Sequence, residues 1–242
     1  MNISNNMPAI QVIEKAIETI PGWTPADELL CLYTLVCATT PIGGNILEIG
    51  SWCGRSTVVM LSALRASKTG RLTAIDLFPQ RSDWFQNSDG TWSFKVDEVS
   101  GYTEQTVWNE PFQKDIVPVY QNNNSLLATF KETLTVFGLH DLVDIHKGNL
   151  LSWEKKYKNS NVKFRMAFID GDHSYDGVHK DINIALNHVK PGGVLCFDDA
   201  FTVYEGVDKA IMEFVESNER VLFHQQLCRK FHVVFLKGDS NE

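Results

Sequence analysis

Four carboxylates and an imidazole stand where two short apolar runs end, in Phe168-Ile169-Asp170-Gly171-Asp172-His173 and in Cys196-Phe197-Asp198-Asp199. Asp170 and Asp198 are 28 residues apart, the length of one strand–helix–strand crossover, which sets neighbouring parallel strand ends roughly 4.8 Å apart. Asp170, Asp198 and Asp199 can then converge as hard oxygen ligands. Mg2+ takes a few carboxylates and completes its shell with water or substrate oxygens, which suits three acids with open positions. Without a cation, carboxylates at that range raise one another's pKa, and a dication relieves the conflict. An imidazole can take a proton from a hydroxyl at neutral pH, which makes His173 a candidate base. A bound metal would acidify the same hydroxyl. Plainer roles compete: Asp172 or Asp199 capping a turn, Asp170 contacting a cofactor or acting as the base itself, and His173 fixing its loop by a hydrogen bond.

A second constellation lies upstream, in Glu48-Ile49-Gly50-Ser51-Trp52-Cys53-Gly54-Arg55-Ser56. It follows an apolar run and opens a helical pattern. Glycines at such a junction let a ligand approach the backbone, and the helix start offers free N–H groups. Glu48, Gly50, Ser51, Gly54 and Ser56 are therefore candidate cofactor contacts. The spacing is not the GxGxxG of dinucleotide binders, and Trp52 and Cys53 would crowd a pyrophosphate. Asp76 ends the next apolar run, 26 residues after Gly50, where a carboxylate accepts the hydroxyls of a ribose.

These residues need a scaffold that brings strand ends together, and the pattern supplies one. Helical periodicity covers about residues 9–20, and Thr24 with Pro25 predicts a capped second helix running to about 39. Strands are expected at 45–50, 71–76, 142–146, 163–170 and 194–198. Helices are expected at 56–67, 125–137, 176–189 (closed by Pro191-Gly192-Gly193) and 205–217. Segments 221–227 and 231–236 read as a closing hairpin. The alternation predicts an α/β fold, a Rossmann-like, mostly parallel sheet with helices on both faces and an antiparallel last strand.

One stretch breaks the rhythm. Residues 77–124 form a long insertion, and nine of the chain's 26 aromatic residues fall between Leu77 and Tyr120. They are Phe78, Trp84, Phe85, Trp92, Phe94, Tyr102, Trp108, Phe112 and Tyr120. Insertions of this length serve as lids or binding loops unless disordered, and the aromatic content argues against disorder. The rings either pack the insertion onto the sheet or wall a pocket for an apolar or aromatic substrate.

Composition excludes several classes. The 242 residues carry 22 Lys+Arg against 30 Asp+Glu, a net charge of -8, with 43% hydrophobic residues. That balance is globular and disfavours sequence-independent nucleic-acid binding, which rests on Lys and Arg. Five cysteines without a CxxC pair suit free thiols in a reducing compartment rather than disulfides or zinc. The N-terminal residues lack a secretory pattern and no apolar run could span a bilayer. The expectation is a soluble cytoplasmic protein, neither nucleic-acid- nor membrane-associated, folded as one domain over 1–242 with N-terminal helices at 6–40.

The motifs Gly22-Trp23, LEIGSWCGRST, FIDGDHSYDGV and PGGVLCFDD resemble class I S-adenosylmethionine-dependent methyltransferases, and more narrowly the macrocin-type O-methyltransferases of bacterial natural-product pathways. The resemblance covers nearly the whole chain outside the insertion. It implies a seven-stranded sheet in the order 3-2-1-4-5-7-6. It also implies S-adenosylmethionine bound with its methionine part over Gly50 and Gly54, its ribose on Asp76 and its adenine near Gly148-Asn149-Leu150, so Asn149 and Leu150 join the candidate contacts. Asp170 and His173 would face both the cofactor and the reaction. Related catechol- and caffeoyl-type enzymes hold a metal on acids at these strand ends, which here points to Mg2+ on Asp170, Asp198 and Asp199. His173 falls where catechol-type relatives place a lysine base. The implied reaction is in-line methyl transfer to a hydroxyl of a small molecule such as a secondary metabolite, phenol or sugar. The insertion would act as its lid, and a homodimer would form through the N-terminal helices. A metal-independent N-methyltransferase and a non-catalytic cofactor-binding module are the alternatives.

Overall fold

The computed structural model describes residues 7–96, 105–123, 125–158 and 160–239. Tyr102 and the first residue of the expected 6–40 helical segment lie outside them. The central sheet has seven strands: β1 (Asn45–Ile49), β2 (Leu72–Asp76), β3 (Val143–Lys147), β4 (Phe164–Ile169), β5 (Val189–Phe197), β6 (Val221–Cys228) and β7 (Phe231–Leu236). Their spatial order is β3-β2-β1-β4-β5-β7-β6. The first five are parallel, and β7 runs antiparallel to both β5 and β6. This is the Rossmann-like order that the resemblance implies.

Each inner strand is apolar on both faces because both faces are covered. On one side pack α1 (Ala9–Thr19), α2 (Ala26–Ala38), α3 (Arg55–Ser67) and α4 (Leu126–Val136), with Ile13, Leu29, Val59 and Phe130 fully buried. On the other pack α5 (Leu150–Tyr157), α6 (Tyr175–His188) and α7 (Glu205–Ser217), around Phe164, Phe197 and Ile211. Among the described residues no helix is long and apolar enough to cross a membrane.

Register fixes the rim on which the site is built. Ile49 of β1 pairs with Ile75 of β2 and Ile169 of β4, and Ile169 pairs with Phe197 of β5. Backbone bonds continue one residue further, from Gly50 N to Ile75 O (2.8 Å), Asp170 N to Ile49 O (2.8 Å) and Asp198 N to Ile169 O (3.2 Å). Gly50, Asp76, Asp170 and Asp198 therefore stand abreast. Because β7 is antiparallel, its beginning rather than its end reaches the same rim, which brings Lys230 there.

Two local expectations are corrected. Thr24 does not cap α2: Pro25 is the residue before its first turn and no side chain caps it. Strand β5 starts at Val189 rather than Val194, so Pro191-Gly192-Gly193 lies inside the strand instead of closing the preceding helix. There the register jumps between Phe164↔Val189 and Met166↔Val194, a bulge suited to a proline without an N–H. A helix whose bounds the sequence pattern left unplaced, α5, follows β3 and carries Lys155 and Lys156 in its last turn, with the Asn149 side chain accepting from Ser152 N at 2.9 Å.

The insertion folds as a three-stranded antiparallel sheet (Trp84–Gln86, Trp92–Phe94, Gln105–Val107) followed by helical turns over 109–122. Trp84 lies 4.7 Å from Phe94 and 5.1 Å from Phe112 between ring centres, and Trp92 stacks on Phe112 at 4.0 Å. Trp84 Nε1 donates to Tyr120 Oη (3.0 Å), which donates to Pro79 O (2.7 Å). Most rings thus tie the insertion down. Trp84, Phe94 and Trp108 also face the cavity described next.

Candidate functional site

A cavity of about 450 Å³ opens over the rim, lined by Gly50, Ser51, Trp52, Ser56, Asp76, Asn149, Leu150, Asp170, His173, Asp198 and Asp199 among others. Most of the expected residues are therefore brought to one space. Two are not. Glu48 is fully buried beneath the turn, where its carboxylate accepts from Ser51 Oγ (3.0 Å), Ser56 Oγ (2.7 Å) and Thr57 Oγ1 (2.6 Å). Burial pushes its pKa up to about 7 against the pull of those hydroxyls. Gly54 lies behind the turn, in the left-handed region at φ 93°, with Phe130 close to where a β-carbon would be. Both shape the turn from behind.

Asp76 organises the same turn from the front. Its Oδ2 accepts from Ser51 N (3.0 Å) and Trp52 N (2.8 Å), and its Oδ1 from Phe78 N (2.6 Å). A carboxylate offers about four acceptor positions, so about one remains for a ligand hydroxyl. Burial raises the Asp76 pKa, and the three N–H groups offset this only in part. Arg55, at the start of α3, donates through Nε and Nη2 to Ile20 O (2.9 and 2.7 Å). This holds the α1–α2 connection, with Trp23 5.7 Å from Trp52, as one wall of the cavity.

The acidic centre lies at the ends of β4 and β5. His173 Nε2 is 3.0 Å from Asp199 Oδ2, and its ring stacks on Tyr204 at 4.2 Å. Lys230 Nζ is 2.8 Å from Asp199 Oδ1, and 3.1 and 3.2 Å from the two oxygens of Asp198. Asp172 takes the plainer role, with Oδ1 accepting from Ser174 N at 2.7 Å ahead of α6.

Charge and burial compete here. Burial, then Asp198 and Asp199, push Asp170 well above the usual carboxylate range. Burial raises Asp198 despite Lys230. Asp199 goes the other way, because His173 and Lys230 together outweigh its burial. Burial would lower Lys230, but Asp198, Asp199 and Asp170 outweigh it and push its pKa up. Glu28 of α2, fully buried beside Asp198, is raised to about 8, first by burial and then by Asp198.

Ligand atoms of Asp170, His173 and Asp199 lie within 4.8 Å of one another. That set differs from the one expected for Mg2+, since Asp198 turns to Lys230 instead. Lys230 engages one Asp199 oxygen; the other lies 3.0 Å from His173 Nε2, a buried nitrogen with no aligned hydrogen-bond partner. As arranged, Lys230 occupies one of the Asp199 oxygens that a dication on this set would use. Lys230, Glu28 and Tyr204 were not singled out from sequence. Lys230 alone left a signal there, lying directly before the strand that was expected to be antiparallel.

A mostly parallel seven-stranded sheet with an antiparallel last strand, and a cavity over its glycine turn and acidic strand ends, define a methyltransferase of the Rossmann-like class. A family model described as a methyltransferase domain matches residues 47–200, and the chain belongs to that family. It is an S-adenosylmethionine-dependent methyltransferase. Similar solved structures agree in fold. A putative O-methyltransferase from Klebsiella pneumoniae is 17% identical, with 96% of this chain and 91% of that one covered and a TM-score of 0.60. The O-methyltransferase from Bacillus cereus, in complex with S-adenosylhomocysteine, is 17% identical, with coverage of 96% and 93% and a TM-score of 0.60. TomG from Streptomyces achromogenes, an O-methyltransferase of tomaymycin synthesis in complex with S-adenosylmethionine, is 18% identical, with coverage of 95% and 88% and a TM-score of 0.58.

Proposed function

We propose that the chain transfers the methyl group of S-adenosylmethionine to a hydroxyl oxygen of a small molecule, of the secondary-metabolite, phenol or sugar class. The observation that carries this reading is the placement of His173. Its Nε2 lies 3.0 Å from Asp199 Oδ2, its ring stacks on Tyr204, and it lines the same cavity as the Gly50 turn and Asp76. Oxygen as the acceptor draws support from the O-methyltransferases of similar fold, TomG of tomaymycin synthesis among them. The tryptophans at the cavity wall, Trp23, Trp52, Trp84 and Trp108, suit an acceptor with apolar or aromatic surface.

In this reading the glycine turn lies under the methionine part, Asp76 takes a ribose hydroxyl and Gly148-Asn149-Leu150 borders the adenine. Asp199 at Nε2 leaves Nδ1 of His173 to receive the acceptor's hydroxyl proton. The oxygen then attacks the sulfonium methyl carbon. The carbon–sulfur bond breaks with its electron pair passing to sulfur, and S-adenosylhomocysteine leaves. The protein's share is to orient the two reactants and exclude water under the insertion. None of these steps is routed through Mg2+.

The test is release of S-adenosylhomocysteine with a panel of phenols, sugars and amines, for the wild type and His173→Ala. Turnover of a hydroxyl substrate that falls sharply in the variant is the expected result. Undiminished turnover by the variant would remove His173 from the mechanism. An amine preferred over every hydroxyl would overturn the oxygen assignment.

A further inference from the structure

Asp198 is 5% exposed and sits beside Asp170, Asp199 and the buried Glu28. A buried carboxylate in such company needs a fixed positive partner, since leaving one charge unpaired there is strongly destabilising. Spacing alone suggests a dication for that role. The structure supplies Lys230, whose ammonium bridges Asp198 and Asp199 at 2.8 to 3.2 Å.

This lysine is anchored from three sides. Its carbonyl accepts from Ala200 N at 2.9 Å, just past the two acids. Arg229, its neighbour in the turn, has Nε 3.0 Å from Asp27 Oδ2 on α2. Phe231 on its other side is fully buried. The side chain is 21% exposed, so its charge points inward rather than to bulk water. A dication shared by Asp170, His173 and Asp199 would have to use Asp199 oxygens that already face His173 and Lys230, next to a charge of its own sign.

From this geometry we infer that Lys230 is the resident cation of the acidic centre, standing in place of a divalent metal. It is a positioning residue: it holds Asp198 and Asp199, and through Asp199 it sets His173. This rests on the reading of His173 as the base. The chain then keeps its acidic centre assembled in the absence of metal, and methyl transfer proceeds in chelator.

The experiment uses Mn2+ as the probe, titrated and followed by electron paramagnetic resonance, with thermal unfolding in EDTA and in Mg2+ alongside. The wild type, Lys230→Arg, Lys230→Met and Lys230→Met/Asp199→Asn are compared. The wild type and Lys230→Arg should take up no stoichiometric Mn2+ and melt at the same temperature in both media. Lys230→Met should bind one Mn2+ per chain and regain melting temperature with Mg2+, and the added Asp199→Asn should abolish both effects. One tightly bound Mn2+ per chain in the wild type overturns the inference, whether or not the variants fold. So does a folded Lys230→Met that binds none. Binding of S-adenosylhomocysteine to the same wild-type sample is the separate control. Its absence would overturn the functional reading, while the metal result would still decide the role of Lys230.

Discussion

A β-carbon on Gly50 would stand 2.0 Å from the carbonyl oxygen of Asp170. The ends of β1 and β4 meet with no space between them, and Gly50 is also in the left-handed region at φ 88°. Gly50→Ala must therefore push the Asp170 carbonyl away from the rim while straining its own backbone. The expected loss of stability is about 3 kcal/mol or more, within the range of strain and overpacking at special backbone sites. Denaturant unfolding measures it, and S-adenosylhomocysteine binding should fall with it.

Replacing His173 by alanine should reduce kcat by about 100-fold or more, the usual contribution of a positioned proton acceptor. Affinity for S-adenosylhomocysteine should change little, because Asp76 and the glycine turn are untouched. Calorimetry on the variant separates the two effects.

Asp76→Asn keeps one oxygen and presents an amide N–H2 to backbone N–H groups that need an acceptor. The Ser51–Trp52 turn and Phe78 cannot all remain satisfied. Cofactor-product affinity should drop by roughly 10- to 100-fold, as expected for hydrogen bonds to a charged group. Equal affinity in isothermal titration would show that the turn holds without the carboxylate.

Glu48 predicts a pH dependence of stability. Its folded pKa of about 7 lies above its ordinary 4.5, so the folded state binds more protons than the unfolded chain across that interval. Its contribution is fully present below about pH 4.5 and is lost as pH rises through 7, on the order of 3 kcal/mol in all. Asp181, raised by burial to about 7, acts in the same direction. Urea unfolding of wild type and Glu48→Gln between pH 5 and 8 reads this out, and the variant should show the shallower decline.

Arg55→Ala removes both bonds to Ile20 O and frees the wall that carries Trp23. A loss of about 2 kcal/mol is expected, the scale of charge-assisted hydrogen bonds. The KM of the methyl acceptor should rise more than kcat falls. A KM left unchanged would mean that this wall does not meet the acceptor.

Much of the scaffold was legible because its signals are local. Ile46 and Leu47 in β1, or Phe168 and Ile169 in β4, point to opposite faces and mark strands covered on both, and the residues after these strands are the rim. The errors were equally local in origin. Pro191-Gly192-Gly193 looks like a helix stop, but a bulge within β5 accommodates the same residues, and Thr24 beside Pro25 looks like a cap that the backbone does not use. Glu48 reads as a ligand contact beside two glycines. Only the third dimension shows it facing Ser51, Ser56 and Thr57 beneath the turn.

The sequence by itself determined the order of strands and helices, the family, and the convergence of Asp170, Asp198, Asp199 and His173. Periodicity and spacing along the chain are enough for the elements and the convergence, while the family was read from the resemblance of four motifs. What only the tertiary structure decided was how those charges are balanced. Lys230 lies 31 residues from Asp199 in sequence and 2.8 Å away in space, delivered by the antiparallel run of β7. Glu28 reaches Asp198 from a helix near the start of the chain. Electrostatic energy depends on distance through the fold and on exclusion of water, and neither quantity is written in the spacing of residues along a chain.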